Sequence, residues 1–259
     1  MNVAGILFTI AVIVLLYILF RHFFKDVNTL TGLVSGETMT KIDATTLATN
    51  STGGSSNFTY SIWFFVNDWN YRYGEPKVIF GRMGSAAAAN AAAANNGTTA
   101  AITGVSGADP CPAVVLGAIE NNISIALGCY PGANEVPTNP AGKSVVHTCS
   151  VANVPIQRWV NLLMSVYGRT LDVYIDGKLV RTCLLPGVAL INQNSNIFVT
   201  PAGGFNGWTS KFQYWPNAFN PQQAWNIYIQ GYRPNMLTGD YEVQISLVEN
   251  GTTQKTITI

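Results

Sequence analysis

Apolar residues form one unbroken run at the start of the chain and alternate with polar residues over much of the remainder. The run extends from Val3 to Phe20 and is interrupted only by Thr9. As a helix it would be about 27 Å long, close to the thickness of a bilayer's hydrocarbon core. No small-residue cleavage site follows, because the chain continues directly as RHFFK, which argues against a cleaved signal peptide. We therefore predict an uncleaved single-pass transmembrane anchor with a basic flank over residues 1–25, inserted in the lipid bilayer.

Period-two alternation predicts strands through the rest of the chain. In FTYSIWFFVND, every second residue from Phe58 to Val66 is apolar, and Trp63 and Phe65 make the opposite face partly apolar too. This pattern is typical of a central strand covered on both sides. Further strands are predicted at KVIFGR, VVLGAI, ISIALGC and WTSKFQYW. Many short strands and one brief helix indicate an all-β, two-sheet antiparallel sandwich.

Asp176-Gly177 predicts the tightest turn of the chain, a type I′ hairpin. The turn sets a register of three pairs: Ile175–Lys178, Val173–Val180 and Asp172–Arg181. In that register the last pair places opposite charges side by side, and Leu171, Val173 and Val180 share the other face.

The predicted helix begins near residue 220. Asn220 is its N-cap, Pro221 occupies the first helical position, and Gln223 completes a capping box. Gly231 is expected to end it.

Composition divides the chain into segments. After the anchor, residues 26–56 are polar and turn-rich and predict a tether, with one short strand at Lys41 to Ala44. Residues 57–232 form the predicted sandwich, with a low-complexity insertion at 84–110. Residues 233–259 predict a C-terminal hairpin around Asn250-Gly251.

Charge is sparse and nearly balanced. Charged residues make up 10% of the chain and the net charge is +1, against about 25% charged residues in ordinary domains. No basic run occurs beyond RHFFK, so nucleic-acid binding is not expected. A weakly charged surface favours either glycosylation or burial in a larger assembly; a neutral polar surface is the plain alternative.

The cysteines and sequons leave alternatives open. Four cysteines permit three disulfide connectivities, with buried free thiols as the other reading: Cys111, Cys129, Cys149 and Cys183. The absence of CxxC pairs and the presence of only two histidines argue against a zinc site, and no cofactor is expected. Five sequons, close to the number expected by chance, are candidate glycosylation sites: Asn50, Asn57, Asn96, Asn122 and Asn250.

The side of the membrane on which the sandwich lies stays open. Arg21 and Lys25 lie only on the C-terminal side of the anchor, which favours a cytosolic domain. Disulfides and sequons favour the opposite side. A virus whose inner membrane derives from the endoplasmic reticulum, with a capsid assembled on its cytosolic face, would accommodate both signals.

Three segments together resemble the concanavalin A-like lectin/glucanase superfamily, in its laminin-G-like or pentraxin-like branch. They are FTYSIWFFVNDW, RWVNLLMSVYGRTLDVYIDGKLVRT and GGFNGWTSKFQYWPNAFNPQQAWNIYIQG. The resemblance covers about residues 40 to 232 and implies a jelly-roll sandwich. The low-complexity insertion and the C-terminal hairpin depart from the family's pattern.

The anchor, the tether and FVNDWNYRYGEPKVIFGR are together similar to membrane-anchored laminin-G-like proteins of large algal and amoebal DNA viruses. This similarity implies a minor capsid or virion protein that links an inner membrane to other capsid or coat proteins.

Catalysis is not expected. Glucanases of the superfamily use alternating carboxylates in an E-x-D-x-E strand, and no such triplet occurs here. Asp172 and Asp176 lie four positions apart on the predicted hairpin, but Asp176 is needed by its turn. Asp240 and Glu242 fit an exposed strand, and His147 has no evident nucleophile beside it.

The alternative function is that of an anchored lectin-like receptor or adhesin. One loop is rich in the aromatic, amide and carboxylate groups that bind sugars, and it supplies the candidate ligand-binding residues Asp68, Trp69, Asn70, Tyr71 and Tyr73. Trp208 and Trp215 are further candidates. The competing interpretation is that these rings pack over the end of the sandwich. No acidic cluster suited to calcium is visible. A degraded glycosidase is a third reading.

Overall fold

The computed structural model describes residues 10, 12–18, 28–48, 56–83, 110–133, 135–137, 144–191, 194–233, 244–249 and 252–258. Residues 10 and 12–18 are helical, and the rest of the predicted anchor lies outside the described residues. Within the described part, no helix is long and apolar enough to cross a membrane. The predicted insertion, apart from Pro110, also lies outside the described residues.

Residues 28–232 form a sandwich of two antiparallel sheets. Seven strands form one sheet, in the order β1, β13, β4, β9, β10 and β11, with β2 also paired to β13. Their bounds are β1 Thr29–Thr31, β2 Val34–Ser35, β4 Phe58–Asp68, β9 Trp159–Tyr167, β10 Thr170–Ile175, β11 Lys178–Leu184 and β13 Asn206–Trp215.

Six strands form the other sheet, in the order β3, β12, β5, β6, β7 and β8. Their bounds are β3 Thr40–Ile42, β5 Lys77–Met83, β6 Ala113–Leu116, β7 Ile123–Cys129, β8 Val145–Val151 and β12 Asn196–Val199. The inward residues of both sheets make one buried core, in which Tyr60 of β4 and Phe80 of β5 lie 5.5 Å apart between ring centroids. The predicted all-β, two-sheet antiparallel sandwich is confirmed.

β4 is a central strand covered on both faces, as its double apolar pattern predicts. It lies between β13 and β9, and Ile62 and Phe64 are completely buried in the core. On the opposite face, Trp63 stacks on Tyr228 with ring centroids 5.6 Å apart. Tyr228 belongs to a helix, Pro221–Ile229, which we call the outer helix because it packs on the outward face of the seven-stranded sheet.

The capping residues of the outer helix have the predicted roles. The backbone N–H of Gln223 donates to Asn220 Oδ1, and that of Asn220 donates to Gln223 Oε1, both at 2.9 Å. Gly231 follows the helix with a φ of +71° and donates to the Tyr228 carbonyl. This reciprocal capping satisfies two donors that a helix N-terminus otherwise leaves exposed.

The β10–β11 hairpin has the predicted turn but a different register beyond it. Asp176 and Gly177 both have positive φ, and Ile175 pairs with Lys178. A bulge at Val180 then shifts the ladder by one residue. The predicted pairs Val173–Val180 and Asp172–Arg181 are therefore wrong: the observed pairs are Val173–Arg181 and Asp172–Thr182. Val180 is exposed rather than sharing a buried face with Leu171 and Val173.

The predicted tether differs from the structure over residues 28–48. β1 and β2 pair with β13, and β3 pairs with β12, so this segment adds strands to both sheets. The expected strand at Lys41 to Ala44 is observed one residue earlier, at Thr40–Ile42, and is followed by a short helix, Ala44–Ala48. These strands have two or three residues each, too few for an alternating pattern to stand out in the sequence.

The C-terminal segment contains the predicted hairpin. Its strands, β14 Gln244–Glu249 and β15 Thr252–Thr258, pair antiparallel, with Gln244 opposite Thr258.

Candidate functional site

The loop proposed to bind a ligand lies between β4 and β5, and two of its three aromatic rings have structural contacts. Trp69 packs against the core, and its Nε1 donates to the Ile119 carbonyl at 3.0 Å. The Tyr71 hydroxyl donates to the Gly203 carbonyl at 3.1 Å. For these two rings, the interpretation that they pack over the end of the sandwich describes the contacts better than a ligand platform does.

The remaining candidates of this loop lie at the surface. Asp68 Oδ1 accepts from the backbone N–H of Asn70 at 2.9 Å, which is a local turn contact. Tyr73 is 58% exposed. The structure therefore leaves Asp68, Asn70 and Tyr73 at the surface, while the Trp69 and Tyr71 rings contact the end of the sandwich.

Lys77 lies beneath this loop as a buried cation. The residue is fully buried, its Nζ has no hydrogen-bond partner in the described part of the chain, and it lies 4.8 Å from the centroid of the Trp69 ring. Desolvation and the neighbouring Arg72 lower the pKa of Lys77, and Glu75 partly opposes this shift. The contact with the indole face gives the amine a partial substitute for water.

The cysteines divide into one disulfide and two buried thiols. Cys149 of β8 and Cys183 of β11 are bonded, with Cα atoms 6.1 Å apart. Because β8 and β11 are each the last strand of their sheet, the bond joins the two sheets along one edge. Cys111 and Cys129 are buried, and burial raises the pKa of the Cys129 thiol to about 12. The described residues contain no metal-binding group of His, Cys, Asp or Glu.

Two of the five sequons fall on described side chains. Asn57 and Asn122 are half-buried, and Asn57 Oδ1 accepts from the Gly168 N–H at 2.8 Å. The other three, Asn50, Asn96 and Asn250, lie outside the described residues.

The aspartates of the β10–β11 hairpin have structural partners. Asp172 Oδ1 accepts from the Thr182 hydroxyl at 2.6 Å. Asp176 forms an ion pair with Arg158, and its Oδ1 accepts from the Asn161 N–H at 2.9 Å. These contacts hold the hairpin and its turn. Asp240 and Glu242 lie outside the described residues.

An exposed tryptophan lies beside a chain of polar side chains on the seven-stranded sheet. Trp208 is 49% exposed and pairs with Phe65 of β4 and Ser35 of β2. Two residues earlier, Asn206 donates to Glu37 Oε1 at 2.6 Å and accepts from Asn67 Nδ2 at 3.0 Å. By contrast, Trp215 packs against Phe219 with centroids 4.7 Å apart.

The outer helix presents apolar side chains to solvent beside β11. Trp225 and Ile229 lie one helical turn apart and are 40% and 61% exposed, and Leu179 of β11 is 49% exposed. We call these three residues the outer-helix surface. The helix can approach the hairpin closely only because Gly177 has no side chain: a Cβ there would lie 2.9 Å from both Trp225 and Tyr228.

A cleft of ≈ 200 Å³ opens between the two sheets along the edge that carries the disulfide. Its walls come from the end of β8 and the segment after it, and from the β10–β11 hairpin. The lining residues are Ser150, Val151, Ala152, Asn153, Val154, Pro155, Ile175, Val180 and Arg181. Sequence reasoning missed this cleft, the outer-helix surface and the polar chain beside Trp208, because each is assembled from residues distant in the chain.

No family model and no curated protein matches the chain. Among solved structures, it is similar to the receptor-binding domain of botulinum neurotoxin D, with 12% identity, a TM-score of 0.49, and coverage of 78% of this chain and 44% of that chain. It is also similar to a botulinum neurotoxin serotype D ligand-binding domain in complex with N-acetylneuraminic acid, with 12% identity, a TM-score of 0.49, and coverage of 78% of this chain and 43% of that chain. A third similar structure is the binding domain of botulinum neurotoxin DC in complex with rat synaptotagmin II, with 13% identity, a TM-score of 0.44, and coverage of 67% of this chain and 35% of that chain. The chain spans less than half the length of each, and at these values the likeness says nothing about what this chain binds.

Proposed function

We propose that the chain is a non-enzymatic, membrane-anchored structural module that docks another protein. Its proposed setting is the virion of a large DNA virus, at the interface between inner membrane and capsid, and its proposed family is the concanavalin A-like superfamily. The apolar run from Val3 to Phe20 supports the anchor. The virus-like sequence combination described above supports the setting.

The outer-helix surface is the observation that carries the proposal. A tryptophan and two aliphatic side chains exposed side by side are unusual on a solvated domain and typical of a protein interface. Trp225 is held in place by Tyr228, with ring centroids 5.3 Å apart, and by the close approach of Gly177. A ring that is already ordered loses little side-chain entropy when a partner covers it.

The apolar character of this surface specifies the partner's chemistry. Leu179 pairs with Tyr174, whose ring packs under the outer helix. Lys178 and Arg181, the exposed cations of β11, pair with Ile175 and Val173 and therefore point to the other face of the hairpin. The outer-helix surface thus complements a partner that presents apolar side chains.

The structural roles of Asp172 and Asp176 support the proposal that the module is not an enzyme. Each carboxylate is engaged in hydrogen bonds that hold the hairpin. A glycosidase would instead need two carboxyl groups directed at one substrate-binding groove.

The proposal is tested by cross-linking in intact particles. A photoreactive amino acid at position 179 should cross-link this chain to one particle protein, whereas the same group at position 119, where Ile119 is 62% exposed, should not. Trp225→Ala should abolish the cross-link while the chain keeps the circular dichroism spectrum of the folded protein. The chain should co-purify with virions and be released only by detergent. Absence from purified particles would overturn the setting, and equal cross-linking from both positions would overturn the docking surface.

A second candidate is an anchored glycan receptor, favoured by Trp208. An exposed indole beside an amide–amide–carboxylate chain offers a stacking face together with unused donors and acceptors. It predicts glycan-array binding that is lost in Trp208→Ala and kept in Trp225→Ala. A flat array would count against this candidate and leave the docking surface unaffected.

A further inference from the structure

The cleft beside the disulfide contains an arginine at a position where the sandwich pattern calls for an apolar side chain. Arg181 pairs with Val173, and paired residues point to the same face of a sheet. Val173 is completely buried in the core between the sheets. Cys183, two residues further along β11, also points inward and bonds to Cys149. The Arg181 side chain is therefore directed to the mouth of the sandwich rather than to its outer face.

The wall facing Arg181 carries apolar side chains beside the polar Ser150 and Asn153. Val151 lies two residues beyond Cys149 on β8, so it is on the same inward face as the disulfide. Val154, Ile175 and Val180 are further apolar residues of the lining. An apolar part of a ligand can be buried against these side chains and released from contact with water, while the Arg181 guanidinium remains at the rim of the cleft.

In the described part of the chain, the guanidinium has no carboxylate to pair with. Among the described residues, Arg181 takes part in no ion pair. The nearby Asp172 carboxylate instead accepts a hydrogen bond from the Thr182 hydroxyl. A planar guanidinium presents a fork of donors that matches a carboxylate. The volume of ≈ 200 Å³ is adequate for one ring, since a cavity of about 150 Å³ can hold benzene.

We infer that this cleft binds a carboxylate carried on a compact apolar body. The carboxylate pairs with Arg181, and the apolar body packs against Val151, Val154 and Ile175. Two sources share this chemistry: a small free acid and the C-terminal residue of a peptide. The inference is independent of the outer-helix surface, which lies on the other face of the same hairpin.

The test uses the full chain in a detergent with a neutral headgroup, followed by NMR. Phenylacetate is titrated against phenylacetamide, which has the same ring and no charge. Phenylacetate should shift the amide signals of Asn153 and Val180 saturably, and the amide should bind at least about tenfold more weakly, as the loss of a charge-assisted pair implies. A tripeptide ending in Phe with a free carboxylate tests the second source, and the tighter ligand identifies it.

Two variants assign the role of the guanidinium. Arg181→Gln should weaken phenylacetate binding at least about tenfold, and Lys178→Gln, which removes a neighbouring cation that does not line the cleft, should change it less than about twofold. Both should melt at the wild-type temperature, since both side chains are exposed. Equal binding of acid and amide, equal effects of the two variants, or no saturable shift with either acid would overturn the inference. None of these outcomes bears on cross-linking from position 179.

Discussion

Removal of the Cys149–Cys183 bond should cost several kcal/mol, because it is a covalent tie between the edges of the two sheets. The bond closes a loop with a sequence separation of 34 residues. The chain-entropy relation for a loop of that length gives about 12.6 cal/mol/K, or about 3.8 kcal/mol at 25 °C. For a unit of the size of residues 28–232, this corresponds to a fall in melting temperature of about 8–15 °C.

The measurement is urea unfolding of the wild type and of the double variant Cys149→Ala with Cys183→Ala. The variant should lose about 3–4 kcal/mol of unfolding free energy. Adding a reductant should bring the wild type to nearly the same value and leave the variant unchanged, which separates loss of the bond from loss of side-chain packing. A loss below about 1 kcal/mol in both comparisons would refute the reasoning, because the sheet edges would then be held by packing alone. A non-reducing gel of the native protein reports whether the bond forms in its own compartment.

Three further predictions concern single residues. Lys77→Met should stabilise the fold at pH 7 by about 1 kcal/mol, since it removes a desolvated charge. Because the pKa of Lys77 is lowered from 10.5, the stability of the wild type should rise with pH up to 10.5. The stability difference between the variant and the wild type, measured by urea unfolding, should shrink over the same range. Asn220→Ala should cost about 1 kcal/mol through loss of the cap, while Gln222→Ala, on the exposed side, should cost less than about 0.5. Gly177→Ala should lower the free energy of unfolding more than Gly168→Ala does, and it should shift the Trp225 fluorescence. Both glycines have positive φ, but of the two only Gly177 lacks room for a Cβ. Equal losses in the two variants would mean that the contact with the outer helix contributes nothing.

The sequence predicts local elements well because their causes are local. The double apolar pattern of β4 identifies a strand between two others. The start of the outer helix is predicted by Asn220, Pro221 and Gln223, because its cap depends on atoms only three residues apart. The turn at Asp176-Gly177 follows from the positive φ that both central residues of a type I′ turn adopt, which favours Asp followed by Gly.

The sites are harder to predict because they depend on long-range packing. Trp69 and Tyr71 have the composition of a ligand loop, yet their polar atoms bond to the carbonyls of Ile119 and Gly203. The alternation of apolar and polar residues along the chain does not predict those carbonyl partners. Likewise, Glu37 and Asn206 meet across 169 positions of the chain.

The bulge at Val180 links the hairpin's register to its two proposed surfaces. In the register expected from the turn alone, Arg181 would lie opposite Asp172 on the outer face and form an ion pair with it. The extra residue instead places Arg181 opposite Val173 and Thr182 opposite Asp172. The Thr182 hydroxyl then donates to the Asp172 carboxylate. The Arg181 guanidinium is directed to the mouth of the sandwich, where it has no acidic partner among the described residues. Leu179, on the turn side of the bulge, pairs with Tyr174 beneath the outer helix. The one-residue shift thus moves the cation to the cleft, and it leaves Leu179 on the opposite face, where the register is unchanged.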